Sequence, residues 1–507
     1  MDRRRTLEMR HGISVVCGAR ARPRSRALAA AALLSAALVS PARAGLSALR
    51  CPDCNVVMVM IDVLRADELK VGGSAASIMP NLDDLASRSA AFSNAFSPAP
   101  ITGPSELSIM TGLYPWHHGM EIVQRDQARR DDWLKSGDIL PAILKRHGYE
   151  AYAVRFQAGG SSRDRGMPPD PPAGKKFFLT IWSDVHDPYT PSPEDVARFA
   201  PSLSEADYPN EKDVLRCMTS ALIGGVAPPS SLRDDPPGLP ITATLGSPEE
   251  RKKVAAFAAL SDPLVRLALV KRLDPFATTN TLASRCFWSF FSTGTAGTAR
   301  ALYDAKAREV DDKLGRLLGV LRERGLLKNA IVVVTSQHGE EFLEHGGVGH
   351  AQLYGETLRV PLLVSVPGLK TGRVIDAQVR NVDILPTLLD ALGIDAPKAI
   401  DGESLLPCVE GRCPARPAYS FWDGEFALRD DRYTFIRRQS KDRPDERLFD
   451  RIADPREQTN IAPLHPEEAA RLRAALEKEA DSSRAPERWP REIDPEIRRQ
   501  IERRGYW

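Results

Sequence analysis

The sequence predicts an α/β protein built on a mostly parallel central sheet with helices on both faces, joined to a small C-terminal α+β subdomain. Continuous apolar runs at Asn55 to Ile61, Phe177 to Trp182, Ala330 to Val334 and Val360 to Val366 lack a 3.6-residue period, as strands buried on both faces do. Amphipathic helical stretches alternate with them, which is the signature of crossover connections in a parallel sheet. After about residue 415 the pattern changes to short strand-like pieces followed by a charged helical tail.

The first 44 residues read as a signal peptide. They hold nine arginines against Asp2 and Glu8, eight of them ahead of an apolar run from Ala27 to Val39, and Pro41-Ala42-Arg43-Ala44 supplies the small-residue cleavage pattern. That run is shorter than the roughly 17 to 25 residues a membrane helix needs, so the mature chain is expected to keep no stable span. The expected location is the periplasm or the cell exterior. Cleavage after Ala44 leaves 60 basic and 65 acidic residues, and with no basic stripe a nucleic-acid partner is not expected. With 42% hydrophobic and 27% charged residues in 507, composition is that of a globular protein and excludes a coiled coil, a collagen or a multi-pass membrane protein.

The remaining segments follow in order. Asp138 to Arg146 carries a cap residue, an early Pro and a Gly148 stop, and leads into a strand at Tyr149 to Val154. The stretches 156–176 and 226–240, rich in Gly, Ser, Pro or Arg, read as surface loops. Ala299 to Leu326 places Val310, Leu314, Leu317, Leu318 and Leu321 on one helical stripe. Phe426 to Arg429, Tyr433 to Arg437 and Arg447 to Phe449 are the short strands of the C-terminal part. The domains are therefore 1–44 as signal, 45–415 as the main α/β unit, and 416–507 as the subdomain and tail. Six cysteines remain after cleavage, an even number that favours disulfides in an oxidising compartment with pairing left open. Cys51-x-x-Cys54 runs straight into a strand, which suits a structural clip better than a redox helix.

Ligands of such sheets gather beyond the carboxyl ends of the strands. Asp62 follows the first strand, and Gln337 and His338 follow the one ending at Thr335, so a metal ion could be shared between them. In Pro100-Ile101-Thr102-Gly103-Pro104-Ser105-Glu106, Thr102 falls at a helix start, where free N–H groups favour an anion and a hydroxyl can attack a phosphorus or sulfur centre.

These residues, with Met110-Thr-Gly-Leu-Tyr-Pro-Trp-His-His-Gly119, His186-Asp-Pro-Tyr-Thr-Pro191, Thr335-Ser-Gln-His-Gly-Glu340, Gly349-His350 and Asp401-Gly-Glu-Ser-Leu405, resemble the sulfatase family of the alkaline phosphatase superfamily from about residue 54 to 462. The resemblance implies that His186 and His350 supply a general acid and an oxyanion donor. His117, His118, His345 and the pair Glu340-Glu341 are expected to pack or to border the pocket. Departures are informative. The family's nucleophile, a Cys or Ser in Cys-x-Pro-x-Arg, becomes formylglycine; here Thr102-Gly-Pro-Ser-Glu106 makes formylglycine impossible. Two adjacent carboxylates hold the family's metal, whereas Asp62 is followed by Val63, and Gln337 stands where an Asp is expected. A lysine that helps grip sulfate is missing from Tyr149 to Arg155.

A second branch of the superfamily, the phosphoethanolamine transferases and polyglycerol-phosphate synthases, uses a Thr nucleophile and one divalent ion. Thr102, Asp62 and His338 match it, and Gln337 departs. The implied reading is an exported, sulfatase-like hydrolase of sulfuric or phosphoric esters: Thr102 is the nucleophile, His186 and His350 assist, and Asp62, Gln337 and His338 hold one calcium, manganese or zinc ion. Its substrates would be esters of small molecules, glycans or lipid head groups. The alternatives are a catalytically degraded binding protein and a phosphoryl-group transferase. Glu106 is expected to replace the missing carboxylate if it reaches the metal.

Overall fold

The computed structural model describes residues 49–120, 137–155, 176–189, 191–204, 207–209, 213, 287–291, 295–438 and 445–480. The signal segment and the loops expected at 156–176 and 226–240 lie outside them, except Lys176, which opens a strand instead. The strands of the main sheet are β1 (Asn55–Asp62), β2 (Ala90–Phe96), β3 (Tyr149–Arg155), β4 (Lys176–Asp184) and β5 (Ala330–Thr335). A short hairpin, β6 (Glu341–Phe342) and β7 (Val348–Gly349), follows, and β8 (Arg359–Ser365), β9 (Arg373–Ile375) and β10 (Val379–Arg380) return to the main sheet. Its order is β10-β2-β8-β5-β1-β4-β3, with β9 also paired to β2. β1, β3, β4 and β5 run parallel, which brings the carboxyl ends of β1, β4 and β5 to one edge.

Two features of the sheet lie beyond what the sequence predicts. The run at 360–366 forms β8, but it lies antiparallel to both β2 and β5. β2 has no counterpart among the expected strands: its sequence Ala-Ala-Phe-Ser-Asn-Ala-Phe is too poor in β-branched residues to signal one, and pairing on both sides overrides that local preference.

The helices that position the site are α1 (Pro80–Ala86), α2 (Thr102–Thr111), α3 (Leu140–Arg146), α4 (Ala296–Glu323), α5 (Ile384–Leu392) and α6 (Pro466–Ala480). α3 starts two residues after the expected Asp138 cap; its N-cap is Ile139, and Pro141 pre-sets its first turn. α4 is the long stripe-bearing helix. Its Val310, Leu314, Leu318 and Leu321 are buried against Val57, Val59 and Ile61 of β1, each worth roughly 1.5 to 3 kcal/mol of transfer free energy. Asp311 of α4 accepts the Asn81 and Leu82 N–H groups at 2.8 and 3.0 Å, capping α1 from across the interface.

The C-terminal part is a four-stranded antiparallel sheet, β11 (Ala418–Trp422), β12 (Glu425–Arg429), β13 (Tyr433–Arg438) and β14 (Asp445–Asp450), covered by α6. Tyr419, Leu428, Tyr433, Phe435 and Leu448 pack there with Leu472 and Leu476. Disulfides join Cys51 to Cys54 and Cys408 to Cys413. Cys217 and Cys286 lie outside the described residues. Among the described residues, no helix is long and apolar enough to cross a membrane.

Candidate active site

β1 ends at Asp62, and the chain turns sharply at Val63, whose φ of 64° is left-handed. A β-branched residue rarely adopts that conformation, and here neighbouring groups enforce it. The Val63 carbonyl accepts the Tyr303 hydroxyl at 2.8 Å, that hydroxyl accepts the Arg65 N–H at 2.9 Å, and the Leu64 N–H reaches Ser336 Oγ at 3.0 Å. Val63 itself points into the core. The position that the resemblance fills with a second carboxylate is thus an apolar packing residue.

The loop after β5 is held as firmly. Ser336 Oγ donates to the His338 carbonyl at 2.6 Å, Asn381 Nδ2 donates to the Ser336 carbonyl at 2.8 Å, and the Gly339 N–H reaches the Thr357 carbonyl at 2.7 Å. A Cβ at Gly339 would stand 2.1 Å from the Glu356 carbonyl oxygen, so only glycine fits.

Thr102 occupies the first position of α2, as its sequence context implies. Its Oγ1 lies 3.0 Å from Asp62 Oδ2 and 3.1 Å from His338 Nε2, and Asp62 Oδ1 is 3.4 Å from the same ring nitrogen. His338 Nδ1 donates to the Gly339 carbonyl at 3.0 Å, which leaves Nε2 as a lone pair facing the hydroxyl. One hydroxyl proton therefore serves two acceptors. Asp62 Oδ1 and Gln337 Oε1, both buried, have no hydrogen-bond partner. Such an excess of lone pairs fits a divalent cation, since mixed oxygen and imidazole donors suit that charge. The ionisation pattern follows from the same crowding. Burial raises the Asp62 pKa against the pull of His186, His350 and Thr102, with Asp184 adding to the rise. Burial holds His338 well below the ordinary imidazole range, and His350 and His186 reinforce it.

The other two predicted histidines line up beside this group. The His350 ring stands 4.4 Å from that of His338 and 5.0 Å from that of His186, centroid to centroid. Glu340 orients His350: Oε1 takes its Nδ1 at 3.1 Å while Oε2 accepts the Tyr189 hydroxyl at 2.7 Å. Asp187 Oδ1 lies 2.7 Å from His186 Nδ1. Burial disfavours the His186 cation, but Asp187, Glu340 and Asp62 outweigh it and push its pKa up to about 10.

Glu106 does not complete the metal set. Among the described residues, His117, Asp401 and Glu479 are the one group of three His, Cys, Asp or Glu side chains with ligand atoms within 4.8 Å of one another. Glu106, buried on α2 one turn beyond Thr102, forms no such group with Asp62 and His338. His117 bonds Asp401 Oδ2 at 2.7 Å, an oxygen that also accepts the Tyr114 N–H at 2.7 Å, so it packs as expected. His118 likewise binds Ser108 at 3.0 Å.

The sulfatase family profile matches residues 54–170 and 168–394. The chain belongs to the sulfatase family. A second profile, N-sulphoglucosamine sulphohydrolase C-terminal, matches residues 343–485. Arylsulfatase K of Gallus gallus is 34% identical over 183 residues, 33% of this chain, so the chain matches only about a third (34%) of that relative's length. A sulfatase of Formosa agariphila is 26% identical over 437 residues, covering 80% of this chain and 83% of that protein. Among solved structures, one in complex with its substrate D-glucosamine-2-N,6-O-disulfate aligns at a TM-score of 0.58 and 19% identity, covering 87% of this chain and 100% of that one. The phosphonate monoester hydrolase of Agrobacterium radiobacter aligns at 0.53 and 22% identity, covering 84% and 96%. These likenesses establish the fold of this chain.

Sequence reasoning missed Lys306. It lies on α4 three residues after Tyr303 and four before Val310, and a lysine set within that apolar stripe is the signal that could have found it. Its Nζ donates to the His186 carbonyl and lies 3.8 Å from Asp184 Oδ1.

Proposed function

We propose that this sulfatase-family chain is an exported, metal-dependent hydrolase of sulfuric or phosphoric esters in which Thr102 is the nucleophile. The observation that carries the reading is the placement of Thr102 Oγ1 between Asp62 Oδ2 and His338 Nε2, at 3.0 and 3.1 Å. Asp62, Thr102, Gln337 and His338 would hold one divalent ion, which supplies positive charge for the ester's oxygens and favours the Thr102 alkoxide.

Thr102 Oγ1 attacks phosphorus or sulfur; the new O–P or O–S bond forms as the bond to the substrate alcohol breaks. His350, oriented by Glu340, gives the departing alkoxide its proton, and the same imidazole then takes a proton from the water that clears the threonyl ester. His186, kept cationic by Asp187, faces the ester's non-bridging oxygens. A threonyl ester must be cleared by attack at its central atom rather than by elimination, which suits phosphorus better than sulfur. Phosphate mono- and diesters are therefore the first substrates to assay, followed by sulfated sugars.

The test is metal content by mass spectrometry on the mature protein purified without chelators. One tightly bound divalent ion is expected, lost in both Asp62→Ala and His338→Ala. A protein that takes up no stoichiometric manganese, zinc or calcium overturns the hydrolase reading and leaves a binding role.

A further inference from the structure

Among the groups proposed above Asp62 is the one carboxylate, and a second carboxylate beside it has no place in the reaction. Asp184 ends β4 in register with Asp62 at the end of β1. Register partners on neighbouring parallel strands project to the same face, so the Asp184 carboxylate stands beside that of Asp62. Its electrostatic effect on Asp62 is repulsive. An anionic ester approaching Thr102 would meet both charges.

Lys306 answers this. It is the one buried lysine among the described residues, with 7% of its surface exposed. Its ammonium donates to the main-chain carbonyl of His186 and lies 3.8 Å from Asp184 Oδ1. Asp187, Glu309 and Glu340 also surround it. Arg155, at the end of β3, instead lies over the Trp182 ring at 5.8 Å.

We propose that Lys306 is a positioning residue of the site: its ammonium ties the His186 carbonyl to the Asp184 carboxylate and cancels the charge that Asp184 would otherwise set beside Asp62, admitting an anionic ester. This rests on the hydrolase reading given above. The role is indirect, since the ammonium works through His186 and Asp184.

The experiment uses metal-loaded, full-length mature protein. Inorganic phosphate and sulfate are titrated calorimetrically, and kcat and KM are measured with p-nitrophenyl phosphate and sulfate. Lys306→Met is expected to raise the phosphate Kd and the ester KM roughly tenfold, with kcat changed less than about threefold. Asp184→Asn alone should tighten phosphate binding by about threefold, the opposite sign, and it tests the proposal even where Lys306→Met fails to fold. The double variant should recover most of the affinity lost in Lys306→Met. A merely structural lysine would give no such recovery.

An unchanged Kd and KM in Lys306→Met, weaker binding in Asp184→Asn, or a double variant no better than Lys306→Met overturns this proposal while leaving the hydrolase reading intact. A wild-type protein that neither binds these anions nor turns over either ester overturns the hydrolase reading, and this proposal with it.

Discussion

Two charged groups, half-buried Asp62 and buried Arg65, stand three residues apart at and just beyond the end of β1, and they are built on opposite rules. At Arg65, every charge is answered. The guanidinium meets Asp67 at 2.8 Å and Glu344 at 2.7 Å and donates to the Glu340 carbonyl at 3.0 Å. Burial opposes the Asp67 carboxylate, but Arg65 and Arg300 hold it well below the usual range. Arg300 in turn pairs with Glu68 and Asp304, and the Arg65 and Arg300 guanidiniums lie over the Phe342 ring at 5.7 and 5.5 Å. At Asp62, acceptors outnumber protons. The first arrangement fastens the hairpin β6–β7 to the β1 end; the second is stable only when something positive joins it. The two stand close together, so the balance of donors and acceptors separates scaffold from site.

Substitutions can break that contrast. Thr102→Ala should cut turnover by at least ~10³-fold while leaving the melting temperature nearly unchanged, because it removes the nucleophile from a group already short of protons. Steady-state kinetics beside a thermal melt would check both halves; residual activity above a tenth of wild type would exclude Thr102 as nucleophile.

Arg65→Met should do the reverse. Removing one partner of a buried pair strands the others, and a loss of roughly 3 kcal/mol is expected in denaturant unfolding. A loss below about 1 kcal/mol would show that Asp67 and Glu344 find other partners or water.

His186 sharpens the comparison through pH. Its folded pKa is raised, so its contribution to stability is complete below the ordinary value near 6.5 and is lost as pH rises through about 10. The cation should therefore persist across neutrality, and the KM for an anionic ester should stay flat to about pH 9 and climb roughly tenfold beyond it. His186→Gln should abolish that climb. A KM that rises already between pH 6 and 7.5 would place the His186 pKa near its ordinary value.

The smallest effect expected is a gain. Asp62→Asn in chelator-treated protein should raise stability by about 1 kcal/mol, since an amide can donate to His338 Nε2 and carries no charge. Urea unfolding of both proteins without metal decides it, and a destabilised Asn variant would mean that Asp62 is matched by the protein alone.

Much of this architecture is legible in the amino-acid sequence. The apolar runs that form β1, β4 and β5 are buried on both faces and therefore carry an unambiguous signal, and Asp62, Thr102 and His338 follow directly from where the elements around them begin and end. β2 is hidden because its residues are small and its stability comes from three neighbouring strands. The direction of β8 is hidden because a buried run reads the same both ways. Glu106 reads as a possible ligand because its spacing from Thr102 fixes its helix face but not what its carboxylate reaches. The pairing of His350 with Glu340 depends on the hairpin that brings them together, which two-residue strands do not announce.

The left-handed turn at Val63 separates what the main chain tolerates from what the side chain serves. Aspartate and asparagine tolerate that conformation better than valine does. The Val63 side chain, however, is fully buried among apolar groups. A carboxylate introduced there would suit the backbone and be stranded in the core, so a second charge beside Asp62 requires repacking of its neighbours.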